Sequence, residues 1–271
     1  MSTTPRWVVI GLLLAILAGA GWFLREEIGV VSALWENQQP SQIRVQREEA
    51  HRFFAQGNAL LEEKRYEEAA RLFRQAAALY QRVIDDYNQA VSLENSGVAE
   101  HTLRRYREAA ADYRQALALY DRLGEYRRGA AVNERLGEVS RALASHEAAR
   151  EFYRQARARL DPAGDQKALA RVALLQGVIE DEMQRLDAAA DFYAEAAAFA
   201  TDADDAGLLG QIAEAMARVE RQRRRPTEAR ELLENALGQY GIAGDRAGQD
   251  RVQAQLAQLD AEQKRNARAR D

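Results

Sequence analysis

Three histidines, a few adjacent carboxylates and one arginine run are the residues of this chain that could do chemistry. His51, His101 and His146 lie far apart, and none has a carboxylate or second imidazole at metal-ligand spacing, so no metal site is expected. The pairs Glu48-Glu49, Asp85-Asp86 and Asp204-Asp205 fall at predicted helix boundaries, where a carboxylate serves as a solvated cap. The run RQRRR at 221–225 closes a predicted helix, where cations oppose the negative end of the dipole. Serines are scattered, and there is no phosphate-binding glycine loop, nucleophile elbow or HExxH. With no cysteine, thiol chemistry and disulfides are excluded. The net charge of −4 argues against nucleic acid as the main partner, which would call for a basic face. We therefore expect no catalytic residue, cofactor, metal or small-molecule substrate, and no enzyme.

The elements around these residues repeat. YEEAARLFRQAAALY begins at Tyr66, and YREAAADYRQALALY begins at Tyr106, 40 residues later. At that interval Gly57 recurs as Gly97, Gly137 and Gly177 and becomes Ala217. Ala69 recurs as Ala109, Ala149, Ala189 and Ala229. Phe73 recurs as Tyr113, Tyr153, Tyr193 and Leu233, and Ala76 as Ala116, Ala156, Ala196 and Ala236. Positions 69, 73 and 76 share one stripe of a helix, where small residues beside a ring admit a close neighbour. The glycine belongs to a preceding helix that this ring approaches.

Turns are expected near Arg65-Tyr66, Arg105-Tyr106, His146, Leu186 and Arg225-Pro226. A second set is marked by Gly124, Gly164, Gly244 and Asp204. An acidic residue follows in the next column (Asp85, Glu125, Asp165, Asp205 and Asp245), placed to cap or charge the next helix. Each unit is then an antiparallel helix pair that can bury its apolar stripe only by stacking, which makes an all-α solenoid. Val252, Leu256 and Leu259 form one narrow stripe on a final polar helix, as a cap would.

The Gly–Ala–aromatic–Ala spacing, with Tyr66 and Tyr106 opening the second helix, resembles the tetratricopeptide repeat over roughly residues 46–240. The period is 40 rather than the usual 34, and the proline often found near the end of the second helix is missing. The resemblance implies a right-handed α-solenoid of five helix-turn-helix repeats plus a C-terminal capping helix. It implies a shape and a mode of binding rather than a chemistry.

The first 40 residues differ. WVVIGLLLAILAGAGWFL, from Trp7 to Leu24, is 18 uncharged residues with Trp7 and Trp22 at its ends. As a helix it would span about 27 Å, close to a bilayer core. We expect a single transmembrane anchor. The alternative is a signal peptide cleaved after Ala18-Gly19-Ala20, against which the apolar run continues through Trp22-Phe23-Leu24. Arg6 on the short flank, against Arg25 beside Glu26 and Glu27, gives a slight bias to a cytoplasmic N-terminus with the repeats outside. The Ala- and Arg-rich composition suits a bacterium, hence an envelope location. The expected organisation is a tail (1–6), the anchor (7–24), a juxtamembrane linker (25–40), five repeats (41–243) and a capping helix with a charged tail (244–271).

In the resembled family the first helix of each pair lines a concave face along which peptides lie. Carried over by position, the partner-binding residues are Phe54, Asn58, Leu61, Glu94, Asn95, Val98 and His101. They continue as Glu134, Arg135, Glu138 and Arg141, then Leu174, Val178, Asp181, Glu214, Arg218 and Arg221. The Lys/Asn clamp with which some members hold chaperone tails has no lysine here, since its positions are Phe54/Asn58, Glu94/Val98, Glu134/Glu138, Leu174/Val178 and Glu214/Arg218. The expected function is a membrane-tethered scaffold that binds a protein or peptide partner, itself membrane-associated. A secreted repeat protein or a non-catalytic subunit of a membrane enzyme are the alternatives. On the expected face Glu94, Glu134 and Glu138 form an acidic middle, with Phe54 and Leu61 on one side and Leu174 and Val178 on the other.

Overall fold

Helix is the only regular structure that this alanine-rich, proline-poor chain takes up among the described residues. A computed structural model describes residues 40–160 and 164–268, without the side chains of 266–268. The run Trp7–Leu24 lies outside the described residues, among which no helix is long and apolar enough to cross a membrane. The first helix, α1, covers 40–62. It is followed by α2 (Tyr66–Arg82), α3 (Asp86–Thr102), α4 (Tyr106–Leu123), α5 (Tyr126–Ala142) and α6 (His146–Ala158). Then come α7 (Gln166–Glu182), α8 (Leu186–Asp202), α9 (Ala206–Gln222), α10 (Pro226–Ala243) and α11 (Arg246–Arg268). The substantial packing runs between helices consecutive in sequence, with a minor contact between α7 and α9, so the described chain is a solenoid of pairs closed by α11.

The repeated columns are its core. Ala69, Ala109, Ala149, Ala189 and Ala229 are all buried, as are Ala76, Ala116, Ala156, Ala196 and Ala236. Between them Phe73, Tyr113, Tyr153, Tyr193 and Leu233 are buried too. Each ring lies against the glycine of its own pair. A Cβ built on Gly57 would stand 2.8 Å from Phe73 Cε1, and one on Gly97 2.5 Å from Tyr113 Cε1. In the fifth pair Ala217 fills the glycine's place, and the facing ring is reduced to Leu233. One crossing thus has two solutions: glycine with an aromatic ring, or alanine with leucine.

A second small-to-ring column escaped the sequence reading. Ala50, Ala90, Ala130, Ala170 and Gly210 alternate with Tyr80, Tyr120, Leu160, Ala200 and Tyr240. A Cβ on Gly210 would come within 2.8 Å of Tyr240.

Every helix that a described turn follows ends in the same left-handed turn. Gly124 and Gly244 adopt φ 71°, as the sequence leads one to expect, but Lys64, Ile84, Arg104, Ala144, Gln184, Asp204 and Arg224 also take positive φ. The following N–H bonds back five residues, as in Asp85 N–H to the Tyr80 carbonyl (2.9 Å) and Arg225 N–H to that of Glu220 (2.9 Å). These bonds satisfy carbonyls that the helix end would leave open. Seven residues with a Cβ therefore hold a conformation that disfavours one, and the twenty-residue turn spacing, rather than glycine, dictates it. Ile84 is the most strained by type, being β-branched at φ 55° and 85% exposed. Replacing it with Asn, which tolerates this conformation, should stabilise the protein by about 1 kcal/mol. Thermal denaturation should show Ile84→Asn melting a few degrees higher, and an unchanged or lower midpoint would refute the strain.

The acidic column does its expected work in three turns. Asp85 accepts from Asn88 N–H, Asp205 from Leu208 N–H and Asp245 from Gly248 N–H. Asp165 instead pairs with Arg127 (2.7 Å), and Glu125 makes no side-chain cap.

Candidate first-helix face and its rim cleft

The first helices of the pairs bring residues from distant parts of the chain onto one face. Its edge contacts are ion pairs at a fixed offset. Arg171 pairs with Glu134 (3.0 Å), Arg218 with Asp181 (2.7 Å) and Arg251 with Glu214 (2.7 Å), each 37 residues ahead of its acid. At an offset of 41, Arg141 meets Glu182 (2.9 Å), Arg221 meets Glu262 (3.0 Å), Gln222 meets Asp181 (2.8 Å) and Gln255 meets Glu214 (2.8 Å). Both offsets join one first helix, or α11, to the first helix before it. The more exposed of them, such as Arg141 with Glu182, contribute at most about 1 kcal/mol each. Their larger effect is to use up the charges of the face.

That changes the expected acidic middle. Glu134 is buried, and Glu94 lies between Arg128 (3.8 Å) and Arg135 (3.4 Å) while accepting from the Tyr120 hydroxyl (2.8 Å). Leu174 and Asp181 are buried as well, Leu174 within the core of the fourth and fifth pairs and Asp181 beneath Arg218 and Gln222. These three positions form the wall between adjacent helices rather than the accessible floor, because the next repeat supplies side chains that reach back over them. Phe54 is half-buried edge-on against Phe73, with centroids 5.5 Å apart. Asn58 is exposed, and Leu61, Asn95, Val98, Arg135 and Val178 are partly accessible. Among the described residues Glu138 makes no ion pair.

Ring hydroxyls anchor the same walls. Burial pushes the Tyr80 hydroxyl up to about 12, and that hydroxyl bonds His51 Nδ1 (2.8 Å). Burial also raises Tyr120 and Tyr240, helped by the carboxylates of Glu94 and Glu214 that accept their protons. At Glu214, burial works to raise the carboxyl, but Arg251, Tyr240 and Gln255 together hold it below the usual range. The arginine run at 221–225 is largely spent within the fold. Arg221 pairs with Glu262, Arg223 with Glu220 and Asp187, and Arg225 with Glu220.

An opening lies at the rim, where the first helices end. His101, Tyr106, Glu138, Arg141, Ala142, His146 and Glu182 line a cleft of about 530 Å³ contributed by α3, α4, α5, α6 and α7. His101, Glu138 and Arg141 are sequence-predicted residues that the fold brings together across two repeats. Tyr106, His146 and Glu182 join them unforeseen. His146 Nε2 lies 3.9 Å from Glu182 and shares the cleft with His101. The signal that could have found them is positional. Tyr106 and His146 occupy the same column as Tyr66, at the start of each second helix. Among the described residues no group of His, Asp and Glu has the arrangement to hold a metal ion.

Residues 49–122 match the tetratricopeptide repeat family. No curated protein matches the chain. Solved structures share its fold at low identity. The MamA protein is 14% identical over 73% of this chain and 96% of its own, with a TM-score of 0.54. The pilF protein of Pseudomonas aeruginosa is 17% identical over 79% of this chain and 93% of its own, also at 0.54. A Rap protein, solved in complex with competence and sporulation factor, is 14% identical with a TM-score of 0.55. The match covers 80% of this chain but 65% of the Rap chain.

Proposed function

We propose that this chain is a non-catalytic, membrane-tethered scaffold whose first-helix face binds a segment of a partner protein. The observation that carries this reading is the uninterrupted stacking of five pairs, which presents accessible Asn58, Asn95, Val98, Glu138 and Val178 from four repeats along one face. Such a surface suits an extended or helical ligand rather than a small molecule. The likeness to a Rap protein in complex with a factor supports a binding role for the shape. In this reading residues 7–24 hold the repeats at a membrane, the N-terminus is cytoplasmic and the repeats lie in a bacterial periplasm, where the partner is also membrane-associated.

Photo-crosslinking residues placed at Val98 and Val178 in the full-length protein should capture one partner from intact membranes. The same residues at Arg114 and Glu234, on the exposed side of second helices, should not. Capture only from the second-helix positions would make the outer surface the binding face. Recovery of the chain in the supernatant after a carbonate wash would refute the tether.

A further inference from the structure

The rim cleft has a charge balance that selects its occupant. With neutral imidazoles, the Glu138 and Glu182 carboxylates face one guanidinium, Arg141, which is already paired with Glu182 (2.9 Å). One negative charge is left over, and Glu138 carries it. Arg171 acts on Glu138 from a distance but is committed to Glu134 through two nitrogens. The Tyr106 ring forms a wall, packed against His101 with centroids 5.5 Å apart. The same charges reach a buried hydroxyl. The Tyr153 hydroxyl is buried with no hydrogen-bond partner, and Glu138, Arg141 and Glu182 are among the charges that act on it. Its counterpart in the next pair, Tyr193, is satisfied by Arg218 (3.1 Å), whereas Val178 holds the corresponding position above Tyr153. An arginine from this protein's own next repeat fills one site and is missing from the other.

We infer that the rim cleft receives a guanidinium or ammonium side chain of the partner on Glu138, against the Tyr106 ring. This rests on the reading that the partner lies along the first-helix face. An aromatic wall adds cation–π attraction to the carboxylate. Among the described residues five helices line the cleft: His101 comes from α3, Tyr106 from α4, Glu138 and Arg141 from α5, His146 from α6 and Glu182 from α7.

The three histidines make the test direct. Full-length protein in nanodiscs, labelled with ¹³C at histidine Cε1, would be titrated with acetyl-arginine amide. At pH 7.5 the His101 and His146 resonances should shift saturably. That of His51, bound to Tyr80 outside the cleft, should stay put. Glu138→Gln should weaken the probe at least tenfold while leaving the melting temperature within a few degrees. No saturable shift at pH 7.5, or equal affinity in Glu138→Gln, would overturn the proposal. If the probe behaves as stated while partner crosslinks map only to the second helices, the cleft stands and the face reading fails. If crosslinks map to Val98 and Val178 but the probe does not bind, the reverse holds.

Discussion

Gly97→Ala will destabilise this protein, and combining it with Tyr113→Leu will cost less than the two single losses added together. On an exposed helix Gly→Ala gains about 0.5–1 kcal/mol. Here the added methyl would stand 2.5 Å from the Tyr113 ring, which is almost wholly buried and has nowhere to retreat. Overpacking of this kind costs about 1–3 kcal/mol, enough to reverse the sign of the helix-propensity gain. Tyr113→Leu alone leaves a void and should lose on the order of 2–3 kcal/mol. Together they reproduce the Ala217–Leu233 solution that the fifth pair already uses. The double variant should therefore be more stable than the sum of the singles predicts, by on the order of 1 kcal/mol or more. Chemical denaturation of the four proteins closes the cycle, and strict additivity would mean that ring and glycine do not meet.

The second large effect lies on the other side of the pairs. Arg74 donates to Asp112 (2.9 Å) and pairs with Glu100 (2.9 Å), and both carboxylates are buried. Ser96 gives Asp112 one more hydrogen bond (2.7 Å), while Oε2 of Glu100 has none, with Arg105 3.7 Å away. Arg74→Met keeps the packing of the stem and removes the charge that two buried acids share. Stranding a buried ion in this way costs about 3–5 kcal/mol, which lowers the melting point by on the order of 10 °C. Arg71→Met, on an exposed position of the same helix, should change stability by less than about 0.5 kcal/mol. Adding Glu100→Gln and Asp112→Asn to Arg74→Met should restore much of the midpoint. A loss in Arg71→Met as large as in Arg74→Met would point to general helix damage instead.

These two sites mark how far the sequence could be read. Periodicity exposed Gly97, Tyr113 and their columns, because a shape that must recur at every crossing constrains the same position each time. The paired helices, their turns and the final cap followed from it. Non-glycine turns such as Ala144 and Ile84 gave no local sign, since stacking on both sides imposes their φ against their own preference. The ion pairs were legible only in part. Glu134 and Asp181 look like surface residues on their own helix, and arginines almost one full period later cover them. An offset of 37 or 41 is visible in the sequence once the pitch is known, but not as a motif within one helix. The rim cleft was hidden for the same reason, being assembled from five helices. Asn133 stays outside this account: it shares a column with Phe53, Leu93, Ala173 and Ala213, and both atoms of its amide are buried without a partner, which nothing in the structure explains.

The long-offset pairs also decide how the molecule bends. From α3 onward, each first helix is fastened to the next, and several second helices are linked as well, as by Arg157 with Glu195 and Arg185 with Glu147. Between the first and second pairs Arg74 of α2 reaches both Asp112 of α4 and Glu100 of α3, and Arg105 reaches Glu67. Among the described residues no ion pair joins α1 to α3. From the second pair onward, ties in both layers mean that a bend toward either side stretches a row of charged pairs, so the array yields in small steps spread over its joints rather than at one hinge.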